Sequence, residues 1–152
     1  MLSSLASLAV AATLLFGPPW IAIEYPANPL DPATRDAFLV VRTYHHERLA
    51  AATPTGRAEG TVDGRRQSVT LGFDATTQPG VYALRRTWPA EGRWVLVISS
   101  GPREGAATAV VGVADGEVRS VRVPSRREGR WTIPVVVTDA DVEGMFRTLA
   151  SR

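Results

Sequence analysis

The chain has 152 residues, 45% of them hydrophobic and 21% charged, an ordinary globular composition long enough to bury a core without disulfide staples. All 17 basic residues are arginine, interspersed with 15 carboxylates for a net charge of +2, so no basic stripe of nucleic-acid size stands out and nucleic acid is not an expected partner. The absence of cysteine excludes disulfides, thiolate metal sites and cysteine nucleophiles, and the absence of lysine excludes a P-loop.

Residues 5–16, LASLAVAATLLF, form an uncharged apolar run that stops at Gly17-Pro18-Pro19. Twelve residues are too few to span a bilayer as a helix but fit the h-region of a signal peptide. Residues 1–19 therefore read as a signal peptide or short anchor, although MLSS carries no positive side chain and no clean small-x-small cleavage site follows Phe16. The expected location is periplasmic or extracellular, with membrane contact only through residues 1–19 if they stay attached.

The period then changes. WIAIEY at 20–25 is β-branched and aromatic and stops at Pro26, which predicts a strand, followed by the proline-punctuated connection 26–32. AFLVVRTYHH at 37–46 predicts a second strand, apolar on both faces at its start and polar at its end, and 49–56 a loop of small residues. Strands at 57–62 and 65–73 flank Asp63-Gly64, a pair that favours the two positive φ angles of a type I′ hairpin turn.

Strands at 81–88 and 93–99 are separated by the turn sequence Pro89-Ala90-Glu91-Gly92. In the second of them Trp94, Leu96 and Ile98 share one face and Val95 and Val97 the other, the pattern of a central strand covered on both sides. Asp115-Gly116 marks a second hairpin between 106–113 and 117–123. SRREGR at 125–130 reads as a solvated charged loop, and Pro134 restricts 131–137 to an edge or bulged strand. Thr138 followed by Asp141 resembles a capping box, and Val142, Met145, Phe146 and Leu149 recur at helical spacing, predicting an amphipathic helix over 139–150.

Seven to nine short strands separated by turn signals predict an all-β, antiparallel, immunoglobulin-like β-sandwich at 20–137, with the helix of 138–152 packed on it. Pro79-Gly80-Val81-Tyr82 and the continuation through WPAEGRWVLVIS resemble the exported immunoglobulin-like domains grouped as YtkA-like and FixH-like, over about residues 57–99. The resemblance implies a small envelope domain, in a group several of whose members are associated with respiratory or copper-handling systems, and would place Tyr82 at a tyrosine corner. It carries over no functional residue.

The two histidines of the chain, His45 and His46, are adjacent. A regular strand through residue 46 sends them to opposite faces, so only a bulge at its end would let both reach one ion. On that geometry Arg42, Tyr44 and His46 line an exposed face, while Leu39, Val41, Thr43 and His45 face the other way. Arginine, tyrosine and histidine together offer charge, stacking and hydrogen bonding, which makes this row the expected binding surface. Trp88 and Trp94, flanking the 89–92 turn, read as core packing.

No G-x-S-x-G elbow accompanies the histidines, and many of the carboxylates fall in predicted turns, which leaves a carboxylate-based hydrolase as a reserve reading only. The expectation is a non-catalytic, cofactor-free binding or scaffolding module for an envelope protein or small ligand. The alternative is a copper or zinc protein using His45, His46 and Glu47, a donor set that suits copper(II) or zinc better than copper(I).

Overall fold

A computed structural model describes residues 17–102 and 105–151. The apolar run 5–16 lies outside the described residues. The first sheet contains β1 (Pro19–Glu24), β2 (Leu39–His45), β7 (Val81–Leu84) and β6 (Phe73–Ala75) in the order β1-β2-β7-β6, with the two-residue β3 (Arg48–Leu49) also paired to β2. The second has the order β10-β9-β8-β4-β5, from β4 (Thr55–Val62), β5 (Arg65–Thr70), β8 (Arg93–Ser100), β9 (Ala107–Ala114) and β10 (Glu117–Arg122). A separate two-stranded ribbon joins β11 (Ser125–Glu128) to β12 (Trp131–Pro134), and α1 (Asp139–Ala150) closes the chain. Every pairing is antiparallel.

One apolar cluster draws on both larger sheets: Ile21, Leu39, Val41, Tyr82 and Leu84 from the first, and Ala58, Trp94, Leu96, Ile98, Val111 and Val113 from the second. The alternation read in β8 holds. Trp94, Leu96 and Ile98 enter this shared core, while Val95 and Val97 point to the opposite face and meet Val142, Met145 and Leu149 of α1. The second sheet is thus covered on both faces, as its near-continuous apolar central strands require.

The helix begins where expected. The Asp141 carboxylate accepts the Thr138 backbone N–H at 2.7 Å and the Thr138 hydroxyl at 2.8 Å, and these bonds hold its pKa below the ordinary aspartate range. The Asp63-Gly64 and Asp115-Gly116 turns have positive φ at all four residues, the type I′ geometry that their sequences predict.

Five expectations need correction. Residues 65–73 are not one strand: β5 stays with β4, and after Leu71-Gly72 the chain enters the first sheet as β6. The strand expected at 81–88 ends at Leu84, and β7 and β8 lie in different sheets, so Pro89–Gly92 belongs to a crossover and not to a hairpin. Burial of Trp88, edge-on to Phe38 at 5.2 Å, anchors that crossover. The loop expected over 49–56 is shorter, because Leu49 pairs in β3 and β4 starts at Thr55. SRREGR is not a loop, since 125–128 pairs with 131–134 around Gly129-Arg130. These short strands bring the total to twelve among the described residues, above the seven to nine expected. Tyr82 stands within β7, 4% exposed in the shared core.

Candidate functional site

The alternation read from strand periodicity holds at the start, with Leu39, Val41 and Thr43 fully buried, but Arg42 and Tyr44 on the other face are half-buried where an exposed row was expected. Thr43 is satisfied there, its hydroxyl donating to the Ala50 carbonyl at 2.6 Å. The strand stops at His45, however, and His46 is not its next residue. His46 and Glu47 have φ of 54° and 61° and form a two-residue turn that sets His45 opposite Arg48.

Positive φ at both central positions is the type I′ requirement. At the other two turns of this kind among the described residues aspartate and glycine meet it; here histidine and glutamate do. Side chains pay for the left-handed conformation through a Cβ clash with the following carbonyl, on the order of 1–2 kcal/mol per residue.

The turn reverses the expected separation of the two histidines. Their rings lie 4.5 Å apart, centroid to centroid, and nearly edge-on at 77°. A tight turn, and not a bulge, brings them together. The His46 Nδ1 accepts the Gly17 backbone N–H at 3.2 Å, so the neutral ring carries its proton on Nε2. Among the described residues, no group of three histidine or carboxylate side chains is placed to hold a metal ion, His45, His46 and Glu47 included.

Arg42 departs from the row in a different way. Its Nε and Nη2 both donate to Oε2 of Glu24 on β1, at 3.0 and 2.8 Å. That pairing holds the guanidinium across the strand pair, and Arg42 does not line the cleft that opens beside Tyr44 and His46.

The cleft encloses about 570 Å³ between the β1–β2 end of the first sheet and the β11–β12 ribbon. Trp20 and Tyr44 are direct cross-strand partners, and both line it, together with His46 and Glu47 from the turn. The ribbon supplies Arg127 and Thr132, which are cross-strand partners, along with Arg130 and Trp131. Gly17 allows the close approach: a Cβ there would stand 3.3 Å from the Trp131 ring. The Arg130 guanidinium lies 4.8 Å from the centroid of that indole, a cation–π contact.

Sequence reasoning found Tyr44, His46 and Glu47 and missed Trp20, Arg127, Arg130 and Trp131. The missing signal was Gly129-Arg130, a two-residue loop with glycine first, which fits the other favoured hairpin turn; Gly129 has φ of 57°. Four charges in six residues obscured it.

Comparison of the chain with protein-family models, with curated proteins and with solved structures gives no match.

Proposed function

We propose that the protein is a non-catalytic, exported cell-envelope domain with an immunoglobulin-like sandwich of its two larger sheets, and that the cleft between β1–β2 and the ribbon is where it binds a small ligand or an extended segment of an envelope partner. The observation that carries this reading is the convergence of three aromatic side chains, Trp20, Tyr44 and Trp131, with Arg127 and Arg130 in one concave site of ligand size. The left-handed turn supports it, since His46 and Glu47 occupy positions where asparagine and glycine would be less costly. Among the described residues Glu47 is the single carboxylate lining the cleft, which speaks for binding over paired-carboxylate hydrolysis. Export rests on the apolar run 5–16 and its Gly-Pro-Pro stop.

An NMR fragment titration of the 15N-labelled chain tests the site. Shifts should concentrate on the Trp20 and Trp131 indole N–H signals and the amides of 44–47. A response confined to other surfaces would refute the assignment. Mass spectrometry of the mature N-terminus tests export.

The contact between the His45 and His46 rings gives the copper or zinc alternative one specific support. Titration of the histidine signals with copper(II) and zinc decides it, and unchanged spectra at micromolar metal remove it.

A further inference from the structure

The cleft combines three kinds of surface with different chemical demands. Trp20, Tyr44 and Trp131 contribute aromatic rings to the lining, the Trp131 indole with the Arg130 guanidinium over one face, and such rings are complementary to the flat C–H face of a sugar ring or to another planar ring. Arg127 and Arg130 are cations in the cleft, and neither has a carboxylate partner among the described residues, whereas Arg42, Arg57, Arg66, Arg85 and Arg126 are all engaged by acids. A planar guanidinium matches a carboxylate through two parallel hydrogen bonds. Glu47 supplies an acceptor in the same lining.

Each demand narrows the ligand. Two guanidinium groups against one carboxylate favour an anion. Glu47 disfavours a ligand that is anionic throughout and favours one that also presents hydroxyl donors. The aromatic faces ask for a flat apolar side on the same molecule. A volume of about 570 Å³ is within the range of sites that hold ligands of several rings. From this combination we infer that the cleft binds an acidic saccharide, a hydroxylated ring bearing a carboxylate, as a free oligomer or as a unit of an envelope polysaccharide. The inference rests on the binding reading above and adds the ligand class to it.

The test is an NMR titration of the full 15N-labelled chain with three probes: digalacturonate, a neutral disaccharide, and benzoate, which keeps the ring and the carboxylate but lacks the hydroxyls. Digalacturonate should shift the Trp20 and Trp131 indole signals and bind at least ten-fold more tightly than either other probe. Arg127→Gln with Arg130→Gln should abolish its advantage over the neutral disaccharide, while Arg85→Gln, on an exposed pair with Asp74, should leave it unchanged. Longer galacturonate oligomers that bind more tightly per chain would identify a polymer as the source, and equal affinity a free oligomer.

If the neutral disaccharide binds as well as digalacturonate, or benzoate does, the acidic-saccharide assignment fails and the binding cleft survives. If digalacturonate leaves the cleft signals unmoved while fragments shift them, the assignment fails in the same way. If digalacturonate affinity is unaffected by Trp131→Ala, the ligand sits elsewhere and the acidic-saccharide assignment fails; if fragments also leave the Trp20 and Trp131 signals unmoved, the binding cleft falls with it. Trp131 is 41% exposed on the ribbon, so its truncation leaves the core intact.

Discussion

The indole of Trp94 lies directly over Gly60, its cross-strand partner, so closely that a Cβ at position 60 would come within 2.2 Å of the ring. A glycine in the interior of a strand weakens it unless something fills the space where the side chain would be. Here the largest fully buried side chain among the described residues fills it.

Gly60→Ala should therefore destabilise the fold by about 3 kcal/mol, the upper part of the usual range for overpacking. The indole cannot swing aside cheaply, because its Nε1 donates to the Glu91 carbonyl at 2.9 Å and fixes the ring from the other end. Thermal unfolding should show a fall on the order of 10 °C. A change within 2 °C would mean that Trp94 has room to move.

Gly112 plays the corresponding part on the opposite face of the second sheet. A Cβ there would stand 2.8 Å from Sδ of Met145 and 3.1 Å from Cδ2 of Leu149, so the helix seats itself in the gap that this glycine leaves. Met145→Ala should cost about 2–3 kcal/mol as a large-to-small core change. Gly112→Ala should cost about 1 kcal/mol, since the thioether is flexible. The double variant should be more stable than the sum of the two by about 0.5–1 kcal/mol, because the added methyl occupies part of the cavity. Additive losses in denaturant titrations would mean that the helix does not rest on Gly112.

What the sequence reveals and what it hides follow from the range of the interactions. Asp63-Gly64, Asp115-Gly116 and the Thr138–Asp141 start of the helix are local devices, and each is legible from adjacent residues. The split alternation of β8 is legible too, because burial on both faces leaves no polar residue between Trp94 and Ile98. Sheet membership is not, since β7 and β8 are close in sequence and the strands that draw them into different sheets, β2 for one and β4 for the other, are distant. The cleft suffers from the same limit: Tyr44 could be named from its strand, but Trp131 joins it only because the ribbon folds back against Gly17.

Glu59 should make acid stability measurable at a single position. It accepts from Arg66 at 2.9 Å and Arg57 at 2.7 Å, and these two bonds hold its carboxyl below the ordinary value of 4.5. A folded-state pKa below the unfolded one means that the contribution is fully present above about pH 4.5 and is lost as pH falls through the lower folded value. Glu59→Gln should cost about 1 kcal/mol at neutral pH, as expected for a partly exposed pair network. The difference from the wild-type chain should close as the solution is acidified. A difference constant from pH 7 to pH 3 would show that packing, and not charge, is what the substitution removes.

The His46-Glu47 turn separates stability from function most directly. Glu47→Gly places a residue with no Cβ at φ of 61° and should stabilise the protein by about 0.5–1 kcal/mol, the left-handed cost less the extra chain entropy of glycine. His46→Asn, also tolerant of this conformation, should be close to neutral in backbone terms but loses the bond that Nδ1 accepts from Gly17. Together they recreate the Asn-Gly sequence that a type I′ turn favours most. The double variant should unfold at a higher temperature than either the wild-type chain or His46→Asn alone, and digalacturonate should bind it more weakly, because Glu47 no longer lines the cleft. Gain of stability with loss of binding would identify the two side chains as held in a costly conformation for the sake of the site. Gain of stability with binding intact would leave the turn a local irregularity, and the aromatic rings and arginines would then have to account for recognition alone.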